Sequence, residues 1–196
     1  MRSLVLLVLI AACGSNLPNY NYAAELDPRN KEVVLGVGDV VAINVWGEGN
    51  KDLNTEATIR PDGTITMPLV GDLKAGGETP TTLKTTIKAK LADFVKVQGS
   101  EITVALKTWR SYRFTVQGEV VKTGVFTTDQ YVTVADAIAL AGGPTRFARR
   151  DGVLLLRNDS KTKETKRIPL DYDTLASGKR PEMNIFVLPG DTIYIP

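Results

Sequence analysis

The sequence predicts an α+β protein made of two successive strand-rich units, each carrying one helix. Three observations predict it. Short runs alternate apolar and polar residues, as in Val41, Ile43 and Val45, Ile102, Val104 and Leu106, and Tyr112, Phe114 and Val116. Such a period of two places one side of a strand on a core. Two stretches carry helix start signals, at Thr79-Pro80 and at Thr133. Turn signals built from Gly and Asp punctuate the strands at Gly38-Asp39, Asp62-Gly63 and Gly190-Asp191.

The first unit spans residues 31–108. Val37-Gly38-Asp39 forms a turn, followed by the strand of Val41, Ile43 and Val45. Ala57 to Arg60 reads as a short strand. Pro61-Asp62-Gly63 turns the chain into the strand of Ile65 and Met67, and Gly71 closes that hairpin segment. An Asp-Gly pair supplies the positive φ of a tight turn at low cost. Thr79 can cap a helix, and Pro80 at its first position forfeits no hydrogen bond. Leu83, Ile87, Leu91 and Phe94 share one helical face. Lys84, Lys88 and Thr85 occupy the other and read as a solvated face. The strand of Ile102, Val104 and Leu106 ends the unit.

The second unit spans residues 109–196. After Tyr112, Phe114 and Val116, Gly118 and Gly124 mark a hairpin. Thr133 caps a helix through Ala141, stopped by Gly142-Gly143-Pro144. Val153 to Arg157 and Arg167 to Leu170 are strands around a polar loop. Ile185 to Leu188 and Thr192 to Ile195 form a closing hairpin about Pro189-Gly190-Asp191. Strands, one helix and more strands suggest a β-grasp arrangement. Asp39 and Asp191 read as turn residues bonding their own backbone. Trp46 and Trp109 read as core or interface anchors rather than sugar platforms.

Composition excludes several function classes. There is no histidine, which removes the commonest acid/base group and the commonest metal ligand. A single cysteine, Cys13, permits no intrachain disulfide and no thiolate metal cluster. No catalytic residue and no cofactor is expected. With 24 basic and 22 acidic residues the chain is too balanced for nucleic acid as its main partner. Arg146, Arg149, Arg150, Arg157, Lys161, Lys163, Lys166 and Arg167 do crowd one region. They read as a solvated loop, or as a basic surface toward an acidic polymer.

The first residues set the compartment. Arg2 precedes an apolar run from Leu4 to Ala12, too short to span a bilayer but long enough for a signal-peptide core. Ile10-Ala11-Ala12-Cys13 resembles a bacterial lipobox. The resemblance implies a signal peptide over residues 1–12, removed before Cys13, whose sulfur then carries a diacylglyceryl group. Two or three acyl chains anchor stably where one does not. Gly14 after the cysteine implies, by the same resemblance, sorting to the outer membrane. Residues 13–30, rich in Asn and Pro, read as a lipid-anchored tether.

The body resembles the polysaccharide export proteins of the bacterial outer membrane. "VLGVGDVVAINVW" and "IRPDGTITMPLVGDLKAGGETP" are similar to the opening strand and central motif of the export domain. "FTVQGEVVKTGVF", "TVADAIALAGGP" and "IFVLPGDTIYIP" resemble one soluble-ligand-binding β-grasp (SLBB) domain. The resemblance implies a homo-oligomeric ring around a passage for a polysaccharide. It also implies docking on an inner-membrane copolymerase. Longer relatives end in an amphipathic helix that forms the outer-membrane pore, and nothing follows Pro196. The expectation is therefore a separate outer-membrane β-barrel partner. The competing reading is a periplasmic saccharide-binding lipoprotein module with no conduit role.

Overall fold

A computed structural model describes residues 20–46, 53–94, 102–158 and 164–196. It is α+β, with two hydrophobic cores, one for each unit.

The first core is built on a three-stranded antiparallel sheet. β1 (Val40–Val45) lies between β2 (Thr55–Thr58) and β5 (Ile102–Thr108). Val41, Ile43 and Val45 point inward from β1, as the alternation predicts. β3 (Thr64–Met67) and β4 (Gly71–Lys74) form a separate hairpin. β3 therefore pairs with β4, and the Ala57–Arg60 segment pairs across to β1 through β2. The hairpin turns through Leu69 at φ 65°, a conformation that is costly for a side chain with a Cβ. No turn signal marks that position.

α1 (Pro80–Leu91) closes this core. Thr79 and Thr82 form a capping box, each hydroxyl taking the other's backbone N–H. Leu83, Ile87 and Leu91 are fully buried, each worth about 1.5–3 kcal/mol of apolar burial. Phe94 does not join them. The helix ends at Leu91, so Phe94 leaves the stripe and stays 59% exposed.

The second core lies on a five-stranded sheet of order β7-β6-β10-β8-β9. Its strands are β6 (Arg113–Gly118), β7 (Gly124–Thr127), β8 (Val153–Asn158), β9 (Thr165–Leu170) and β10 (Thr192–Ile195). α2 (Val134–Leu140) packs on it with a capping box between Thr133 and Asp136. A third helix, α3 (Tyr172–Ala176), begins at Asp171, whose carboxylate accepts from Thr174 N at 2.9 Å.

The predicted closing hairpin is corrected. Residues 185–188 make only an isolated bridge, Thr133 to Phe186. β10 instead occupies the centre of the sheet, parallel to β6 and antiparallel to β8. Ile193 and Ile195 are both fully buried there. Gly118 allows this close approach. A Cβ at that position would lie 2.0 Å from the Ile195 carbonyl oxygen, which accepts from Glu119 N at 2.7 Å.

The tether expectation is also corrected for residues 20–30, more than half of its length. Tyr22 is part of the second core, and its hydroxyl donates to the Pro169 carbonyl at 2.5 Å. Pro28 is buried, and Arg29 lies 4.5 Å from the centre of the Phe186 ring. Residues 20–30 thus form a strap on the second unit, although they precede the first in sequence.

Candidate functional site

The chain enters and leaves the first unit at one joint. Gly36 on the way in and Ser111 on the way out meet so closely that a Cβ on Gly36 would lie 2.3 Å from Ser111 Cβ. Asp39, fully buried, fastens the two passes. Its Oδ1 accepts from Arg110 N at 2.8 Å and from Ser111 N at 2.7 Å. Its Oδ2 accepts from Ser111 Oγ and from Gly36 N, both at 2.8 Å. The turn residue thus bonds its own backbone, as expected, and also a segment about seventy residues away.

Asp191 has the same local habit and a different distant partner. Its Oδ2 accepts from Leu188 N at 2.7 Å. Arg157 then reaches the same carboxylate with Nε at 3.1 Å from Oδ1 and Nη2 at 2.6 Å from Oδ2. Arg157 Nη1 also meets Glu25 Oε2 of the strap at 2.7 Å. The Arg157 side chain is 12% exposed, and those of Glu25 and Asp191 are nearly buried. Lys166 and the Tyr20 hydroxyl both donate to the other oxygen of Glu25.

The electrostatics follow from burial and pairing. Burial pushes the Asp191 carboxyl above its ordinary range, against the pull of Arg157. Burial also acts on Glu25, but there the hydrogen bonds from Lys166 and Tyr20 and the charges of Lys166 and Arg157 outweigh it, and its pKa is lowered. For Arg157, desolvation is overcome by Asp191 and Glu25, which keep it firmly charged.

A cavity of about 200 Å³ opens beside the joint. Leu26 and Pro28 of the strap line it, with Lys31, Glu32, Val34, Trp109, Tyr131, Leu188 and Pro189. Trp109 stacks on Tyr112 at 4.7 Å and meets Tyr131 edge-on at 4.8 Å. Its Nε1 is buried with no hydrogen-bond partner among the described residues. Trp109 is therefore an anchor between segments, as its sequence reading holds. Trp46 is not: it stands 68% exposed at the end of β1, where the alternation turns it outward.

Among the described residues, most of the basic cluster is engaged in ion pairs. Arg157 is spent on Asp191 and Glu25, and Lys166 on Glu25. Arg150 pairs with Asp173 at 3.2 Å, and Arg149 lies 3.7 Å from Asp151. Arg146 lies over the exposed ring of Phe147, and Arg167 is exposed on β9. Lys161 and Lys163 lie outside the described residues, as do Cys13 and the predicted signal segment.

Sequence reasoning missed the strap and its ionic core, yet a signal exists. Arg157 continues the inward parity of Val153 and Leu155 on β8. A charge at a core position demands a buried partner. Tyr20 and Tyr22 are aromatics in a segment otherwise poor in apolar residues.

Comparison with known proteins matches both units in order. Residues 27–107 match the polysaccharide biosynthesis/export protein family, and residues 113–166 match the SLBB domain. The chain thus carries an export domain similar to those of the polysaccharide export family, followed by an SLBB domain. The family's export domain is the first unit, and the SLBB match covers β6 through the start of β9. A curated relative, the capsule polysaccharide export protein BexD of Haemophilus influenzae, is 26% identical over 179 residues. That alignment covers 82% of this chain and 43% of the relative, so the chain spans less than half of that protein's length. The matched families are export and ligand-binding ones, not enzyme families.

Proposed function

We propose that this protein is a non-catalytic, periplasmic component of a capsule or exopolysaccharide export complex. A lipid on Cys13 holds it to the outer membrane, and copies assemble into a ring that forms part of the conduit. The observation that carries this reading is the ordered pair of export and SLBB domains, together with similarity to a capsule export protein across most of the chain. Its partners on this reading are a polysaccharide and an inner-membrane copolymerase, as the family resemblance implies, and, as our own addition, a separate outer-membrane β-barrel. A closed ring uses two different complementary faces on each subunit.

The reading is tested in the host. Deleting the gene should abolish surface polysaccharide while the polymer is still made inside. Radiolabelled palmitate should enter the wild type and not Cys13→Ser. Purified in detergent, the lipidated protein should run as a closed oligomer. Normal surface polysaccharide in the deletion strain would sink the proposal.

A second reading is a saccharide-binding module without a conduit. The cavity beside Trp109 and Tyr131 favours it, since aromatic walls suit the apolar faces of sugars. A strict monomer with measurable glycan affinity, lost in Tyr131→Ala, would support this reading over the first.

A further inference from the structure

A knob and a socket sit at opposite ends of the second unit. The knob is Phe147, 72% exposed, more than any other large apolar side chain among the described residues. Its loop is fastened at both sides. Thr145 N donates to the Glu119 carbonyl at 2.9 Å, and Arg149 N donates to the Pro196 carbonyl at 2.7 Å. These bonds hold the loop at the finishing ends of β6 and β10. An aromatic ring held in water on a fastened loop loses little freedom on docking, which suits an interface anchor.

The socket is the cavity of about 200 Å³. It opens at the starting ends of the same two strands, where Trp109 precedes β6 and Leu188 precedes β10. Leu26, Val34, Trp109, Tyr131 and Leu188 give it apolar walls. β6 and β10 run parallel, so knob and socket are separated by the length of the strand pair, roughly 17 Å at about 3.3 Å per residue. A copy cannot fill its own socket. An apolar cavity of roughly 150 Å³ already holds a benzene ring, so a phenyl side chain fits here. A sugar fits less well. Beside the Tyr131 hydroxyl, only Lys31 and Glu32 bring polar side chains to the lining, too few partners for a ring of hydroxyls. The charges around the two features are complementary. Arg146 lies 4.7 Å from the centre of the Phe147 ring, and Glu119 accepts from Thr145 Oγ at 2.6 Å beside it. Glu32 and Lys31 stand at the socket. All four are exposed, and none has an ion-pair partner among the described residues.

We propose that Phe147 of one copy enters the Trp109–Tyr131 socket of the next, with Arg146 facing Glu32 and Glu119 facing Lys31. The contact is head-to-tail, so an open chain of copies keeps one knob and one socket free until it closes on itself. This rests on the proposed ring and names its interface.

The experiment uses the full-length lipidated protein in detergent, with mass read by light scattering across a concentration series. Phe147→Ala and Arg146→Glu should each weaken association by about tenfold or more. Glu32→Arg should do the same, and combining it with Arg146→Glu should restore the oligomer, which a merely structural role for either residue would not allow. Phe147 is exposed, so Phe147→Ala remains decisive if a charge variant misfolds. Mixing Phe147→Ala, which keeps its socket, with Val34→Arg, which keeps its knob, should give a heterodimer that grows no further. A wild-type oligomer whose mass and affinity are unchanged in Phe147→Ala and in both charge variants would overturn the inference while leaving the ring reading intact. A wild type that stays monomeric at every concentration would overturn the ring reading, and the inference with it.

Discussion

The turn at Gly36–Asp39 and the turn at Leu188–Asp191 are the same device put to two uses. In each, a buried aspartate accepts from the backbone N–H three residues back, at 2.8 Å and 2.7 Å. In each, the preceding glycine has a positive φ, 89° and 86°. In each, the strand that follows carries inward isoleucine or valine side chains, three on β1 and two on β10. The remaining lone pairs differ. Asp39 meets neutral donors of the outgoing chain, and Asp191 meets a guanidinium. A local motif therefore fixes only the turn, and distant sequence decides whether the buried carboxylate clasps backbone or neutralises a charge.

The largest expected effect comes from breaking the charged version. Arg157→Ala leaves Asp191 and Glu25 buried without their cation, and should cost about 4 kcal/mol in urea or thermal denaturation. Arg157→Lys, which cannot form the two-pronged contact, should recover only part of that loss. If Arg157→Ala is as stable as wild type, the ionic core has no structural role.

Next comes the neutral version. Asp39→Ala orphans the N–H groups of Gly36, Arg110 and Ser111, at a cost of about 3 kcal/mol. It should also loosen the joint, which limited proteolysis would read as cleavage near residues 110–111. Cleavage confined to other sites, with stability lost, would separate packing from joint rigidity.

The two carboxylates on Arg157 respond to acid in opposite senses. Glu25 has a folded pKa below its ordinary 4.5, so its contribution is complete above pH 4.5 and is lost as pH falls through the lowered value. Asp191 has a raised folded pKa, so its contribution declines as pH rises from 3.8 through that value. The stability gap between wild type and Glu25→Gln should therefore close as pH falls below 4.5. A gap that stays constant through this range would contradict the pairing of Glu25.

The smallest effects test the shared part. Gly38→Ala and Gly190→Ala each force a Cβ into the left-handed region, and each should cost about 1 kcal/mol. A Cβ on Gly38 would come no nearer than 3.7 Å to another side chain, and one on Gly190 would meet nothing within 4 Å. The two costs should agree in matched denaturation curves. A large disparity would mean that the turns are not equivalent.

The sequence makes legible what is decided within a few residues. The caps at Thr79 and Thr133, the inward parity of β1 and β6, and both Gly-Asp turns are local events, and each sits where its spacing puts it. Pairing partners are not local. That β3 joins β4 and that β10 enters the middle of its sheet depend on which distant edges are free, which no spacing records. The strap was missed for a related reason. Its stability comes from Pro169, Arg157 and Lys166, more than a hundred residues away, and the segment itself has no period. Cys13 rests on its sequence motif alone.

The joint at Gly36 and Ser111 has a mechanical consequence. Because the chain enters and leaves the first unit through one fastened point, that unit is topologically an insertion between the strap and the rest of the second. Tension applied at Tyr20 is carried by Tyr22, Glu25 and Arg157 into β8 and β10, and returns without crossing the first sheet. The export domain hangs off the load path, so it can be pushed, turned or exchanged while the rest of the molecule bears the strain.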